Sequence, residues 1–134
     1  MGGKIERIYT EEAPKPVGPY SQAVIYGDLL FVSGQIGIDP KTGKIKETFE
    51  EQVKQIFTNI DVILRSAGAD RKSIVKVNIY ITDLSLFPHL NALYEGFFKD
   101  VEVKPARTTV GVSSLPMGAY VEMDIIAVLG QEKE

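Results

Sequence analysis

The chain has 134 residues, 44% hydrophobic and 25% charged, which fits one globular domain with room for a real core. Its formal net charge of −3 speaks against a partner held through a phosphate backbone, and its lack of cysteine excludes disulfides, thiolate catalysis and thiolate metal sites. No apolar run approaches the ~20 residues of a membrane span, and the opening MGGKIERIYT lacks the apolar stretch of a signal peptide, so a single cytoplasmic domain over residues 1–134 is expected.

KIERIYT reads as a first strand, with Ile5 and Ile8 facing the core. EEAPKPVGPYS, with Pro14, Pro16 and Pro19, is irregular, because each residue before a proline is pushed toward extended backbone. QAVIYGDLLFVSGQIG is a hairpin, two apolar runs joined at Gly27-Asp28, and DPKTGKI is a further turn. TFEEQVKQIFTNIDVILRSAGA is an amphipathic helix of about five turns. Thr48 and Glu51 form a capping-box pair, Phe49, Val53, Ile56, Ile60, Ile63 and Ala67 recur at alternating four and three, and Gly68 stops it.

SIVKVNIYITD is a strand with Val75, Val77, Ile79 and Ile81 on one face and Lys76, Asn78, Tyr80 and Thr82 on the other. SLFPHLNALYEGFFK is a second helix, with Ser85 as its cap, Pro88 tolerated in the first turn, and Leu86, Leu90, Leu93 and Phe97 as its stripe. PARTTVGV and GAYVEMDIIAVLG are two closing strands, and GQEKE is a polar tail. The order β, ββ, α, β, α, ββ predicts an α+β domain: a six-stranded mixed sheet with both helices on one face.

The other face of that sheet is the informative one. In the last strand Val121, Met123, Ile125, Ala127 and Leu129 suit the helix side, and the opposite set, Tyr120, Glu122, Asp124, Ile126 and Val128, is half apolar. In the hairpin, Leu29 and Phe31 alternate with Leu30 and Val32, so both faces are apolar. A face left to water is polar in an antiparallel sheet, so this one is expected to be covered by further copies of the chain.

Parity divides PARTTVGV into Ala106, Thr108, Val110 and Val112 on one side and Arg107, Thr109 and Gly111 on the other. The charged set is expected to face away from the helices, as Glu122 does, which would bring Arg107 and Glu122 into one cleft between subunits. Taken alone, Arg107 reads first as a solvated edge residue, with a bidentate clamp for a carboxylate as the functional alternative. An Arg107–Glu122 pair reads as a structural ion pair that gains little over apolar packing. Tyr20 reads as a loop residue packed over the sheet, and Ser33-Gly34 as a bulge or turn. His89 is the one histidine and reads as a surface residue, so no His-paired metal site is expected.

Four blocks carry a resemblance: GPYSQAV, FVSGQIGIDPKTG, NALYEGFF and PARTTVGVSSLPMGAYVEMDIIA. Spaced along nearly the whole chain, they are similar to the Rid family of reactive-intermediate (enamine and imine) deaminases, also called YjgF-like proteins. The resemblance implies a chorismate-mutase-like fold and a homotrimer with three inter-subunit clefts. It implies hydrolysis of 2-imino acids, the tautomers of enamines such as 2-aminoacrylate and 2-aminocrotonate, to 2-keto acids and ammonia, without a cofactor. On it, Arg107 clamps the substrate carboxylate and Glu122 stands near the attacking water. Tyr20, Ser33 and Gly34 line the cleft and Asn91 supports it. Thr109 stands where many members carry cysteine, and offers a hydroxyl in place of the thiol.

Such a site needs only to fix the carboxylate and place a water, since free imines already hydrolyse in water. The competing expectations are a non-catalytic trimer that binds small carboxylates such as 2-keto acids, a ribonuclease, which the acidic balance disfavours, and a structural trimer acting on other proteins.

Overall fold

The structure, a computed structural model, describes residues 3–130. Six strands form one sheet: β1 (Glu6–Ile8), β2 (Ala23–Tyr26), β3 (Leu29–Gln35), β4 (Ile74–Ile81), β5 (Ala106–Gly111) and β6 (Val121–Val128). They lie in the order β1-β2-β3-β6-β4-β5. The β4–β5 pair is parallel and the others antiparallel, and the helix between β4 and β5 is the crossover that a parallel pair requires. Helices α1 (Phe49–Ser66) and α2 (Phe87–Phe97) bury their apolar stripes on one face of the sheet.

Helix α1 begins where its caps dictate. Thr48 Oγ1 accepts from the Glu51 N–H at 3.1 Å, and Glu51 Oε1 accepts from the Thr48 N–H at 3.2 Å. Val53, Ile56, Ile60 and Ile63 are buried against Leu30, Val77, Ile79, Met123 and Ile125 of the sheet. The helix ends before Gly68, whose φ of +79° favours glycine, and the Ala69 N–H donates to the Leu64 carbonyl at 2.9 Å. Arg71 joins the two helices: its guanidinium donates to both Asp61 oxygens (3.2 and 2.8 Å) and to the Phe97 carbonyl (2.8 Å), over the Phe97 ring.

Three expectations are corrected here. Ile5 is 69% exposed and precedes the short β1, so Ile8 alone of that pair packs on the core. Val75 is also exposed. A register shift between Ile74 and Lys76 against β6 gives the inward place to Ile74. The cap before α2 is Asp83, whose Oδ1 accepts from the N–H and hydroxyl of Ser85 at 3.0 and 2.7 Å. It starts a 3-10 turn, Leu84–Leu86, that runs into the helix, with Pro88 in the first turn of α2. In the expected polar tail, residues 131–134 lie outside the described residues.

The sheet face opposite the helices is open, with Tyr26, Leu29 and Phe31 exposed on it beside the half-buried Ile126 and Val128. Its middle is polar: Asn78 Nδ2 and the Tyr80 hydroxyl both donate to Asp124, at 2.9 and 3.0 Å. Among the described residues no helix is long and apolar enough to cross a membrane.

Candidate active site

The site begins with a bulge. β3 pairs with β6 through Val32–Ile125 and again through Gln35–Met123, so β3 carries one extra residue in Ser33-Gly34. The bulge brings the Gly34 backbone against the side chain of Glu122. A Cβ added at Gly34 would overlap Glu122 Oε2 and stand 2.9 Å from its Cδ, closer than real Cβ atoms come. Glycine is therefore required for this approach.

Glu122 lies opposite Tyr80 on the open side of the sheet, half-buried. Burial, and secondarily the charge of Asp124 two residues on, push its carboxyl above the ordinary 4.5. Among the described residues no cation forms an ion pair with it. It opens into a pocket walled by Tyr20, Lys15, the prolines 14, 16 and 116, and Gln35. Gln22 holds that wall in place. It is buried, its Nε2 donates to the Thr10 and Pro14 carbonyls (3.0 and 2.9 Å), and its Oε1 accepts from the Thr10 N–H (2.8 Å). Tyr20 lines the pocket, its hydroxyl accepting from the Val17 N–H at 3.3 Å. The Ser33 hydroxyl is committed to the Ser21 carbonyl at 2.6 Å, so Ser33 shapes the bulge and offers no free nucleophile. The pocket encloses about 70 Å³, well below the roughly 300 Å³ or more of an ordinary small-molecule site.

Arg107 is elsewhere, which corrects the expectation that it shares a face with Glu122. In the parallel register Arg107, Thr109 and Gly111 align with Val77, Ile79 and Ile81, the helix-facing set of β4. Its guanidinium lies over the rings of Phe87 (5.3 Å) and Tyr94 (4.8 Å), both on α2. Parity placed the charged set away from the helices because burial of a lone charge is costly. On an edge strand that cost is escaped, since a long side chain runs along the helix and keeps its head at the rim. Arg107 and Glu122 thus lie on opposite faces and two strands apart, roughly 10 Å laterally. Thr109 follows on the helix side with its hydroxyl buried and unpartnered. By helical spacing Asn91 shares the face of α2 that carries Phe87 and Tyr94.

Within one chain the candidate residues therefore fall into two groups: Gly34, Glu122 and Tyr20 on one side of the sheet, and Arg107, Thr109 and Asn91 on the other. Sequence reading missed Lys15, Gln22, Phe87 and Tyr94. Gln22 and Tyr94 stand inside the quoted blocks GPYSQAV and NALYEGFF, but nothing local distinguishes a buried clamp or a supporting ring from ordinary packing. Among the described residues no three His, Cys, Asp or Glu side chains gather as metal ligands. His89 sits at the surface with its Nε2 3.4 Å from Glu50 Oε1.

A family model described as Endoribonuclease L-PSP matches residues 10–129. A RutC family protein of Aquifex aeolicus is 60% identical over 124 residues, 92% of this chain and 99% of that protein. Reactive Intermediate Deaminase A, chloroplastic, of Arabidopsis thaliana is 42% identical over 127 residues, 94% of this chain and 67% of that protein. Among solved structures, a Yersinia pestis protein of unknown function from the Rid protein family superposes with a TM-score of 0.91 at 42% identity, over 94% of this chain and 100% of that one. Matched along nearly its whole length in sequence and in fold, the chain belongs to the Rid family, whose model bears the Endoribonuclease L-PSP description.

Proposed function

We propose that the protein hydrolyses 2-imino acids to 2-keto acids and ammonia, in clefts between the subunits of a homotrimer. The observation that carries this reading is the pair of unpaired charges, Glu122 against the Gly34 backbone and Arg107 on its aromatic rings, left on opposite faces of one chain. A second copy that covers the open apolar face and sets its Arg107 edge beside the Gly34–Glu122 pocket completes the site. The small volume of the pocket in a single chain agrees with half a site.

In that cleft Arg107 fixes the substrate carboxylate through two charge-assisted hydrogen bonds. Glu122 holds a water over the C=N carbon and takes its proton as the C–O bond forms. The proton then passes to the nitrogen, giving a carbinolamine. Glu122 takes the remaining hydroxyl proton and returns it to the nitrogen as the C=O bond forms and the C–N bond breaks, so ammonia leaves and the 2-keto acid remains. General base help of this kind is worth roughly a hundred- to ten-thousandfold, and the burial that raises the Glu122 pKa makes its carboxylate a stronger base than an exposed one. The scheme calls on no cofactor. The family description raises RNA cleavage, yet the pocket lining carries one cation, Lys15, among the described residues, where a phosphate backbone calls for several.

The test is to generate 2-iminobutanoate and 2-iminopropanoate in situ and follow their decay. Wild type should accelerate it, Arg107→Ala should lose the acceleration, and Glu122→Gln should lower kcat by at least about a hundredfold. If wild type leaves both imines to decay at the solvent rate yet gains thermal stability from 2-keto acids, the chain is a carboxylate-binding trimer instead.

A further inference from the structure

Arg107 is held in an unusual way for a buried-edge arginine. Among the described residues no carboxylate pairs with it and no hydrogen bond occupies its donors. What surrounds it is aromatic: the guanidinium carbon lies 4.8 Å from the Tyr94 ring centre and 5.3 Å from that of Phe87, both inside the range at which a ring's negative face attracts a cation. The Tyr94 ring is half-buried and packs against the core, 4.7 Å from Phe98 and edge-on to Phe57 at 6.3 Å, which gives the guanidinium a packed ring to lie on. Its hydroxyl does nothing to hold it there. The Tyr94 oxygen is buried without a hydrogen-bond partner, and among the described residues the other buried side-chain oxygen in that condition is Thr109 Oγ1, two residues along β5 from Arg107.

We infer that Tyr94, with Phe87, is a positioning residue for Arg107: the two rings fix the guanidinium by their faces and leave its hydrogen-bonding fork free for a substrate carboxylate. An acidic partner would fix the same side chain only by neutralising it and occupying the donors that the substrate needs. A ring face supplies attraction without using an N–H. The inference rests on the reading of Arg107 as a carboxylate clamp and names what makes the clamp available. The ring is the working part of Tyr94, and the unpartnered hydroxyl is dispensable.

The experiment compares wild type, Tyr94→Phe, Tyr94→Leu and Phe87→Leu in steady-state imine hydrolysis, with thermal melting of each. Tyr94→Phe keeps the ring, and should hold KM within about twofold of wild type and melt no lower, since it removes an unpaired buried hydroxyl. Tyr94→Leu and Phe87→Leu should each raise KM about threefold to tenfold with kcat within about twofold, the signature of lost binding that is equal in ground and transition state. Should Tyr94→Leu fail to fold, Phe87→Leu carries the test, at a position 37% exposed. Unchanged KM in both leucine variants, or a rise in Tyr94→Phe equal to that of Tyr94→Leu, overturns the inference. The same proteins are also titrated with 2-ketobutanoate by calorimetry. If wild type hydrolyses no imine but binds the keto acid, deaminase activity fails while the ring inference is still decided by the order of the dissociation constants. A wild type that binds no carboxylate overturns both.

Discussion

The contact between Gly34 and Glu122 makes the sharpest prediction. Gly34→Ala removes no charged group of the site and adds one methyl. Its Cβ would occupy the space of Glu122 Oε2 and stand 2.9 Å from Cδ, with Cγ at 3.3 Å. The far end of a half-buried side chain gives way more easily than a backbone, so the carboxylate swings aside by on the order of 1 Å, and a displacement of that size costs a reaction about a hundredfold. The fold should hardly notice. The φ of Gly34 is not positive, and replacing glycine at a compatible position gains about 0.4–1 kcal/mol through the unfolded chain, which offsets the repacking, so Tm should move by a few degrees at most. The assay is kcat for 2-iminobutanoate in wild type, Gly34→Ala, Glu122→Gln and the double variant. If both substitutions act through one carboxylate, the double variant is no slower than Glu122→Gln alone. A Gly34→Ala enzyme with wild-type kcat, or a double variant whose losses simply multiply, would refute the reasoning.

The other predictions test the electrostatics, the assembly and the scaffold. Because burial raises the folded pKa of Glu122 above 4.5, the base is protonated as pH falls through that raised value, so activity should drop on the acid side above pH 4.5. The same shift means that the folded state binds this proton more tightly than the unfolded chain, so the Glu122 contribution to stability weakens as pH rises through the window above 4.5. Asp124→Asn should move the acid limb downward by removing the like charge, and a limb that stays put would reject that account. Phe31→Asp, on the open face at 39% exposure, should convert a trimer into monomers in sedimentation analysis and abolish turnover, whereas an associated Phe31→Asp would mean that the face is not the contact. Arg71→Ala should lower stability by about 1–2 kcal/mol, through bonds to Asp61 and Phe97 that partial exposure weakens, with imine kinetics unchanged.

Local rules account for what the sequence made legible. The Thr48–Glu51 box, the stripe of α1 and the Gly68 stop are readable because a helix start, its buried face and its end each depend on a few neighbouring residues. The strands were readable for the same reason, but Ile5 fell outside the short β1, a register shift turned Val75 outward, and the cap ahead of α2 fell to Asp83 rather than Ser85. The four blocks that resemble the Rid family pointed to Arg107, Glu122, Tyr20, Gly34 and Asn91 without saying which of them share a face. Gln22 and Tyr94 stayed hidden because a buried hydrogen-bonding clamp and a ring beneath a cation look, in one dimension, like any polar or aromatic position.

By itself, then, the sequence determined the elements, their order, the apolar character of both faces of the hairpin and the residue types available for chemistry, because composition and periodicity act over a few residues. Only the tertiary structure decided the side on which Arg107 stands. Parity along β5 divides its residues into two sets but does not say which set meets the helices. The parallel register with β4 settles that, by aligning Arg107 with Val77 and laying its guanidinium on α2. That one choice separates Arg107 from Glu122 within the chain, because register is a relation between strands and no single strand contains it.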